Sequence, residues 1–345
     1  MIRTNWIPAF AGMTKGTMKK ILAGLFGLTL AILLAPSAHA MTISPPNYDY
    51  TSVNRGDVIM DVIKVYNDNK DASITLYPFL QNFTFKAGDE EGGTPVFYDP
   101  QTDPYGTAMA KWIKVDTKPL VIAPGARAMV PFSINIPADA SPGGHFGTVV
   151  FATQPPDDPG VVTIGSQVGV LIMMRVNGDI KEAGSITEFG FAKPKPWYNY
   201  LPVDFFVRFE NSGNVHLRPT GNLFITDMTG RQVASIMINP EFRSILPKSI
   251  RKFTFNWTKK EGGEKQSALW NEWHNFAIGR HKAQLVMLYG TENKMVSGNL
   301  AFYVWPWRLI CIALGILLLI LFIFTIGKNS FERAVIKKYE RKHRN

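Results

Sequence analysis

The chain has 345 residues, room for two domains of ordinary size, each able to bury its own core. Its formal charge is +10, but residues 41–303 carry 25 basic and 25 acidic side chains, so the whole excess lies at the two ends. A neutral middle offers phosphates no net attraction, which excludes nucleic acid as a partner recognised by charge.

The N-terminal stretch 1–17 shows no usable pattern. From Met18 the chain reads Met-Lys-Lys, then an apolar stretch over 21–34, then Ser37-Ala38-His39-Ala40. A basic start, a short apolar middle and small residues at an Ala-x-Ala site predict a secretory signal peptide over 1–40, with Met18 a candidate true start. Cleavage after Ala40 leaves a mature chain beginning at Met41. No cysteine stands near that site, so a lipoprotein is excluded.

Between 41 and 303 apolar residues alternate with period two in short runs. Strands are expected at 58–66, 73–85, 146–152, 168–176, 223–226 and 300–304. The alternation is clearest in Val130, Phe132, Ile134 and Ile136, in Val203, Phe205, Val207 and Phe209, in Phe253, Phe255 and Trp257, and in Ala283, Leu285, Met287 and Tyr289. Turn chemistry separates them, as in Ala123-Pro124-Gly125, Ser141-Pro142-Gly143-Gly144, Asn211-Ser212-Gly213-Asn214 and Asp227-Met228-Thr229-Gly230. Many short strands with such punctuation predict an all-β fold of two tandem immunoglobulin-like β-sandwich domains, 41–178 and 179–303. The first carries a net charge of −5 and the second +5. Residues 259–276 break the strand pattern, and a helical or irregular excursion is expected there.

Residues 309–326 hold no charge, and Trp305, Trp307 and Arg308 stand just before them. That length and those flanks predict a transmembrane helix over 304–327, with Trp305, Trp307 and Arg308 at the membrane interface. The tail 328–345 bears seven Lys and Arg against two Glu, which places it in the cytoplasm and the sandwiches outside, a single-pass type I arrangement. Phe331, Val335 and Tyr339 recur every fourth residue, as expected of an amphipathic helix resting on the inner leaflet. The one cysteine, Cys311, lies in the apolar run, so no disulfide forms within 41–303. That suits a bacterial envelope protein better than a disulfide-bridged secreted sandwich.

The first domain opens with Ser44-Pro45-Pro46 and later reads Pro124-Gly125, a strand, and then 136–147 as Ile-Pro-Ala-Asp-Ala-Ser-Pro-Gly-Gly-His-Phe-Gly. The second carries 209–216 as Phe-Glu-Asn-Ser-Gly-Asn-Val-His, followed by Asp227 and Gly230. This order resembles the WxL-interacting proteins of bacterial surfaces. The resemblance implies a peptidoglycan-binding immunoglobulin-like domain, a second domain implicated in host binding, a C-terminal membrane helix with a basic tail, and a non-enzymatic adaptor role. In a cell with an outer membrane the same architecture sits in the periplasm, and host binding lapses.

Two segments are candidate partner-binding sites: Gly144, His145 and Phe146 in a turn entering a strand, and the aromatic loop with Trp197, Tyr198 and Tyr200, whose rings suit sugars or protein partners. Each has a plainer structural reading, a tight glycine turn for the first and a plug at the domain junction for the second. Asp89, Glu90 and Glu91 read as a solvated hairpin loop rather than a calcium cage. No zinc spacing, phosphate loop or nucleophile elbow is present, so no catalytic, cofactor or metal site is expected. Three functions remain open. The first is an envelope adaptor contacting peptidoglycan or a surface protein. The second is a chaperone or assembly factor acting by β-strand addition. The third is an envelope hydrolase, for which no residue speaks.

Overall fold

The computed structural model describes residues 41–85, 93–155, 166–259 and 267–342. The expected signal peptide, the acidic segment at Asp89, Glu90 and Glu91, and the last residues of the tail lie outside the described residues. In chain order the first domain contains β1 (Met41–Ser44), β2 (Asn47–Val53), β3 (Val58–Asn67), β4 (Ile74–Phe85), β5 (Pro95–Tyr98), β6 (Ile113–Val115), β7 (Leu120–Ile122), β8 (Arg127–Asn135), β9 (Gly143–Ala152) and β10 (Gln167–Val176). The second contains β11 (Gly184–Phe191), β12 (Val203–Asn211), β13 (Thr220–Thr226), β14 (Gln232–Ile238), β15 (Ser249–Trp257), α1 (Ala268–His274), β16 (Gly279–Tyr289) and β17 (Lys294–Val304). A long helix, α2 (Trp307–Lys342), follows.

Each domain is a sandwich. The first stacks β1-β3-β8-β6 on β2-β10-β9-β4-β5, with β7 added to β4; the second stacks β11-β12-β15 on β14-β13-β16-β17. The residues that alternate in the sequence are those that meet between the sheets. Ile63, Val65, Leu76, Ile134, Val149, Phe151, Val170 and Ile172 are buried in the first core. Val203, Phe205, Val207, Phe209, Leu223, Leu285 and Met287 are buried in the second. Burial of such side chains contributes about 1.5–3 kcal/mol each, which stabilises both domains without a disulfide.

Buried asparagines tie loops to these cores. Asn211, closing β12, donates to Val215 O at 2.7 Å and Ile245 O at 2.8 Å, and accepts from Gly213 N at 3.0 Å. Asn82 accepts from Met109 N and Ala110 N at 3.0 and 2.8 Å and is fully buried. Its Asn-x-Thr sequence is therefore closed to any glycan.

In the polar segment 259–276 the described residues include the short helix α1, begun where the Ser267 hydroxyl accepts from Trp270 N. β17 continues to Val304 and α2 begins at Trp307, so the first residue of the expected span is strand. Residues Trp307–Asn329 form one helix long and apolar enough to cross a membrane. The helix runs on unbroken through the basic tail to Lys342.

Candidate functional site

Two features of the first domain stand out: its junction with the second domain, and the way its first strand divides between two sheets.

The junction is built from both turn motifs seen in the sequence. Gly144 N donates to Asn214 O across it at 2.7 Å. Asn214 also accepts from Lys181 N at 2.7 Å and donates to Asp179 O at 2.8 Å, holding the linker. Gly143 adopts φ +124°, and a Cβ there would stand 2.8 Å from Asn214 O, so both backbone conformation and close approach require glycine. Beside this contact Phe83, Phe146 and Met173, on the outer face of the β4-β9-β10 sheet, are sealed by Leu246 of the second domain. A cleft of ≈ 530 Å³ opens next to them, lined by Phe85, Tyr105, Leu246 and Lys248 among others.

Charges complete the junction. Asp49 on β2 meets Arg218 at 2.6 Å and His216 Nε2 at 2.9 Å; the histidine is in contact without the alignment of a hydrogen bond. Burial opposes the charge on Asp49, but the adjacent His216 and Arg218 outweigh it and hold the carboxyl below its usual range. Arg175 at the end of β10 pairs with Glu182 of the linker at 2.7 Å. Glu182 in turn accepts from the backbone and hydroxyl of Thr291 at 2.7 and 2.9 Å. Its burial is likewise outweighed, by Thr291 first and then by Arg175, and its carboxyl is also lowered.

The sheet edges behave differently. β1 covers only residues 64–67 of β3; the chain then crosses to the other sheet, where β2 covers β10 only from Leu171 onward. Residues 58–63 of β3 and 167–170 of β10 are thus left without a strand on that side among the described residues. On β3 the opening is partly closed. The Val62 carbonyl accepts from the Tyr48 hydroxyl at 2.7 Å, and Val62 N donates to Asp61 at 2.8 Å. Burial pushes the Tyr48 hydroxyl up to about 12, keeping it a donor. β4 is covered at its ends by β7 and β5, and its open middle holds Pro78, which has no N–H to offer. In the second sandwich the edge strands β14 and β17 pack beside β15 and β11 of the facing sheet.

Among the described residues β10 has no such device. Ser166 O accepts from Thr153 N of the β9 side, and Leu171 N donates to Pro46 O on the β2 side. Backbone groups alternate along a strand, so the N–H and C=O of Gln167 and Gly169 point to the uncovered side. Under Gly169 the Thr148 hydroxyl, fully buried, has no hydrogen-bond partner; a Cβ at 169 would come within 3.0 Å of it.

The residues expected to bind partners fall elsewhere. Gly144, His145 and Phe146 lie inside β9, not on a loop, and are buried. His145 is 3% exposed, packs on Trp112 at 4.4 Å, and contacts Ser141 O through Nε2 at 2.9 Å. Phe146 faces His216 at the junction. Tyr198 is buried in the second core, its hydroxyl donating to Lys193 O at 3.0 Å, and Tyr200 is half-buried. Trp197 alone of this group is well exposed, at 55%. Trp305 and Trp307 are exposed beside the start of α2. No group of acidic, histidine or cysteine side chains suited to a metal occurs among the described residues.

No family model matches the sequence, and no curated protein matches it. Among solved structures it is similar to a chain of the chaperone–tip adhesin complex of CFA/I fimbriae biogenesis, at 13% identity over 77% of this chain and 99% of that one, with a TM-score of 0.34. The E. coli chaperone DraB overlaps at 9% identity, 77% and 97% coverage and a TM-score of 0.33. The Pseudomonas aeruginosa CupB2 chaperone overlaps at 8% identity, 76% and 100% coverage and a TM-score of 0.32. Each is almost wholly covered but at 13% identity or less, and every TM-score is below 0.5.

Proposed function

We propose that this protein is a membrane-tethered, non-enzymatic assembly factor that holds an extended segment of an exported or surface protein as an added strand beside β10. The observation that carries this reading is the stretch 167–170 of β10, which no described residue covers, and where two residues present free backbone donors and acceptors with none of the blocking devices seen on β3 and β4. Four such groups contribute about 4 kcal/mol at ~1 kcal/mol each, equivalent to a Kd of about 1 mM. Side-chain contacts must supply the rest, and the glycine-floored slot over Thr148 receives one of them. The apolar helix α2 holds the sandwich pair outside the cytoplasmic membrane, with the Lys- and Arg-rich tail inside.

The test is co-purification of the full chain with envelope proteins, comparing wild type with Gly169→Pro, which removes an edge N–H that takes no part in the β9 ladder and fills the slot over Thr148. Loss of a captured subunit is expected, with Val58→Pro on the β3 half-edge as the control that retains it. An unchanged set of captured proteins in Gly169→Pro overturns the proposal.

A second reading is an adaptor that grips a folded surface protein or peptidoglycan. One observation favours it: Val58, Met60, Val62 and Met129 form an outward apolar strip, Met60 being 81% exposed. Partner binding that protects β3 amides while leaving β10 unchanged selects this second reading.

A further inference from the structure

We infer that α1 is a second membrane contact, lying in the outer leaflet beside the span and binding lipid acyl chains through an apolar groove. This rests on α2 crossing the membrane and is independent of the β10 reading.

Leu269, Trp273 and Phe276, spaced by four and three residues, point outward together and are 42%, 70% and 43% exposed. Next to this face α1 is anchored in the protein: Glu272 is fully buried, while the Trp270 ring stacks on His274 within the helix at 3.8 Å. Three large apolar side chains exposed side by side form a contiguous patch of the kind that marks a protein or membrane contact. What covers it is indicated by continuity. Trp273, Phe276 and Ile278 share a groove of ≈ 590 Å³ with Leu309, Ile312 and Ile316 of the first turns of the span, and the groove is almost wholly apolar. Trp305 and Trp307, exposed just before these turns in the chain, are aromatic residues of the kind enriched at the water–lipid boundary. A surface continuous with a lipid-facing helix, at the depth of its first turns, meets acyl chains and not water.

The position of α1 is also locked to the span. Glu272 Oε1 accepts from Arg308 Nη1 at 2.8 Å, and Oε2 accepts from Leu309 N at 3.0 Å. One buried carboxylate therefore neutralises the only cation at the head of the helix and satisfies an orphan N–H of its first turn. Ectodomain and span are joined by a side-chain clamp as well as by the chain, which sets the posture of the second domain on the bilayer.

The test uses the full chain in nanodiscs of phosphatidylcholine and phosphatidylglycerol. Cys311→Ser removes the native thiol, and single cysteines then replace Trp273, Met60 or Leu318 for spin labelling. The label at 273 is expected to be oxygen-accessible and protected from a water-soluble nickel quencher, as at 318 in the span, while that at 60 is open to nickel. A label at 273 as open to nickel as at 60, with 318 in lipid, overturns the inference. A label at 318 open to nickel overturns the span itself, and the inference with it. Adding Glu272→Ala is expected to raise nickel access and label mobility at 273 while 318 stays unchanged; no change at 273 overturns the clamp.

Discussion

Truncating Leu246 to Ala tests whether the two sandwiches are joined by a sealed apolar contact. Leu246 is 2% exposed, and its neighbours Phe83, Phe146 and Met173 all belong to the first domain. The substitution removes three carbons, about 2.4 kcal/mol of transfer free energy at ~0.8 kcal/mol per carbon. The void adds to this, but a four-residue cluster between two bodies closes over a gap more readily than a domain core. The total should therefore lie near the low end of Leu→Ala costs, about 3 kcal/mol. Urea unfolding of the 41–303 fragment, followed by circular dichroism, reads the loss as a lowered midpoint, and Leu246→Met should cost less than about 1.5 kcal/mol. A loss below about 1 kcal/mol for Leu246→Ala would show that the contact is not sealed and that the domains are joined mainly by the linker.

Asp49→Asn leaves Arg218 and His216 facing a neutral group; with Arg218 a third exposed, a loss of about 2 kcal/mol is expected in the same assay, below the 3–5 kcal/mol typical of a fully buried pair. Gly143→Ala combines a positive φ with a Cβ placed 2.8 Å from Asn214 O, and a cost of about 2 kcal/mol is expected, whereas Gly56→Ala, with open space, should cost only its backbone strain. Burial holds the imidazoles of His145 and His281 below the usual value of 6.5. The unfolded chain then binds protons first, so stability is complete above about pH 6.5 and declines as pH falls below it. His145→Gln should make that decline shallower; an unchanged slope would show that the buried imidazole does not govern it.

Much of the fold is legible in the sequence because its cores are filled by strict alternation. Val203, Phe205, Val207 and Phe209 are all fully buried, and so are Leu285 and Met287. Periodicity misses β2 and finds β9 and β17 only in part, at 146–152 and 300–304, each for a physical reason. β9 is buried on both faces, so it does not alternate, and its first residues carry Pro-Gly-Gly turn chemistry. β2 reads as polar because Asp49 and Tyr50 hide the buried Tyr48, and β17 because Ser297, Gly298 and Asn299 precede its apolar end. The sites were less legible. The glycines of 141–147 and 211–214 look like separate turns, and only the register shows them meeting at Gly144 and Asn214. Nor does any local pattern reveal that β1 and β2 leave two half-edges, since an uncovered strand is a property of its neighbours. Glu272 was likewise an ordinary acid in a polar loop until Arg308 and Leu309 were placed beside it.

Amide hydrogen exchange at Gln167 and Gly169 tests the uncovered β10 edge most directly. In the free protein both amides should exchange fast, while Val168 and Val170, facing β9, exchange slowly. Addition of a captured subunit segment should then slow Gln167 and Gly169 selectively. Slow exchange at these two positions in the free protein would mean that the edge is already occupied, and strand addition at β10 would be ruled out.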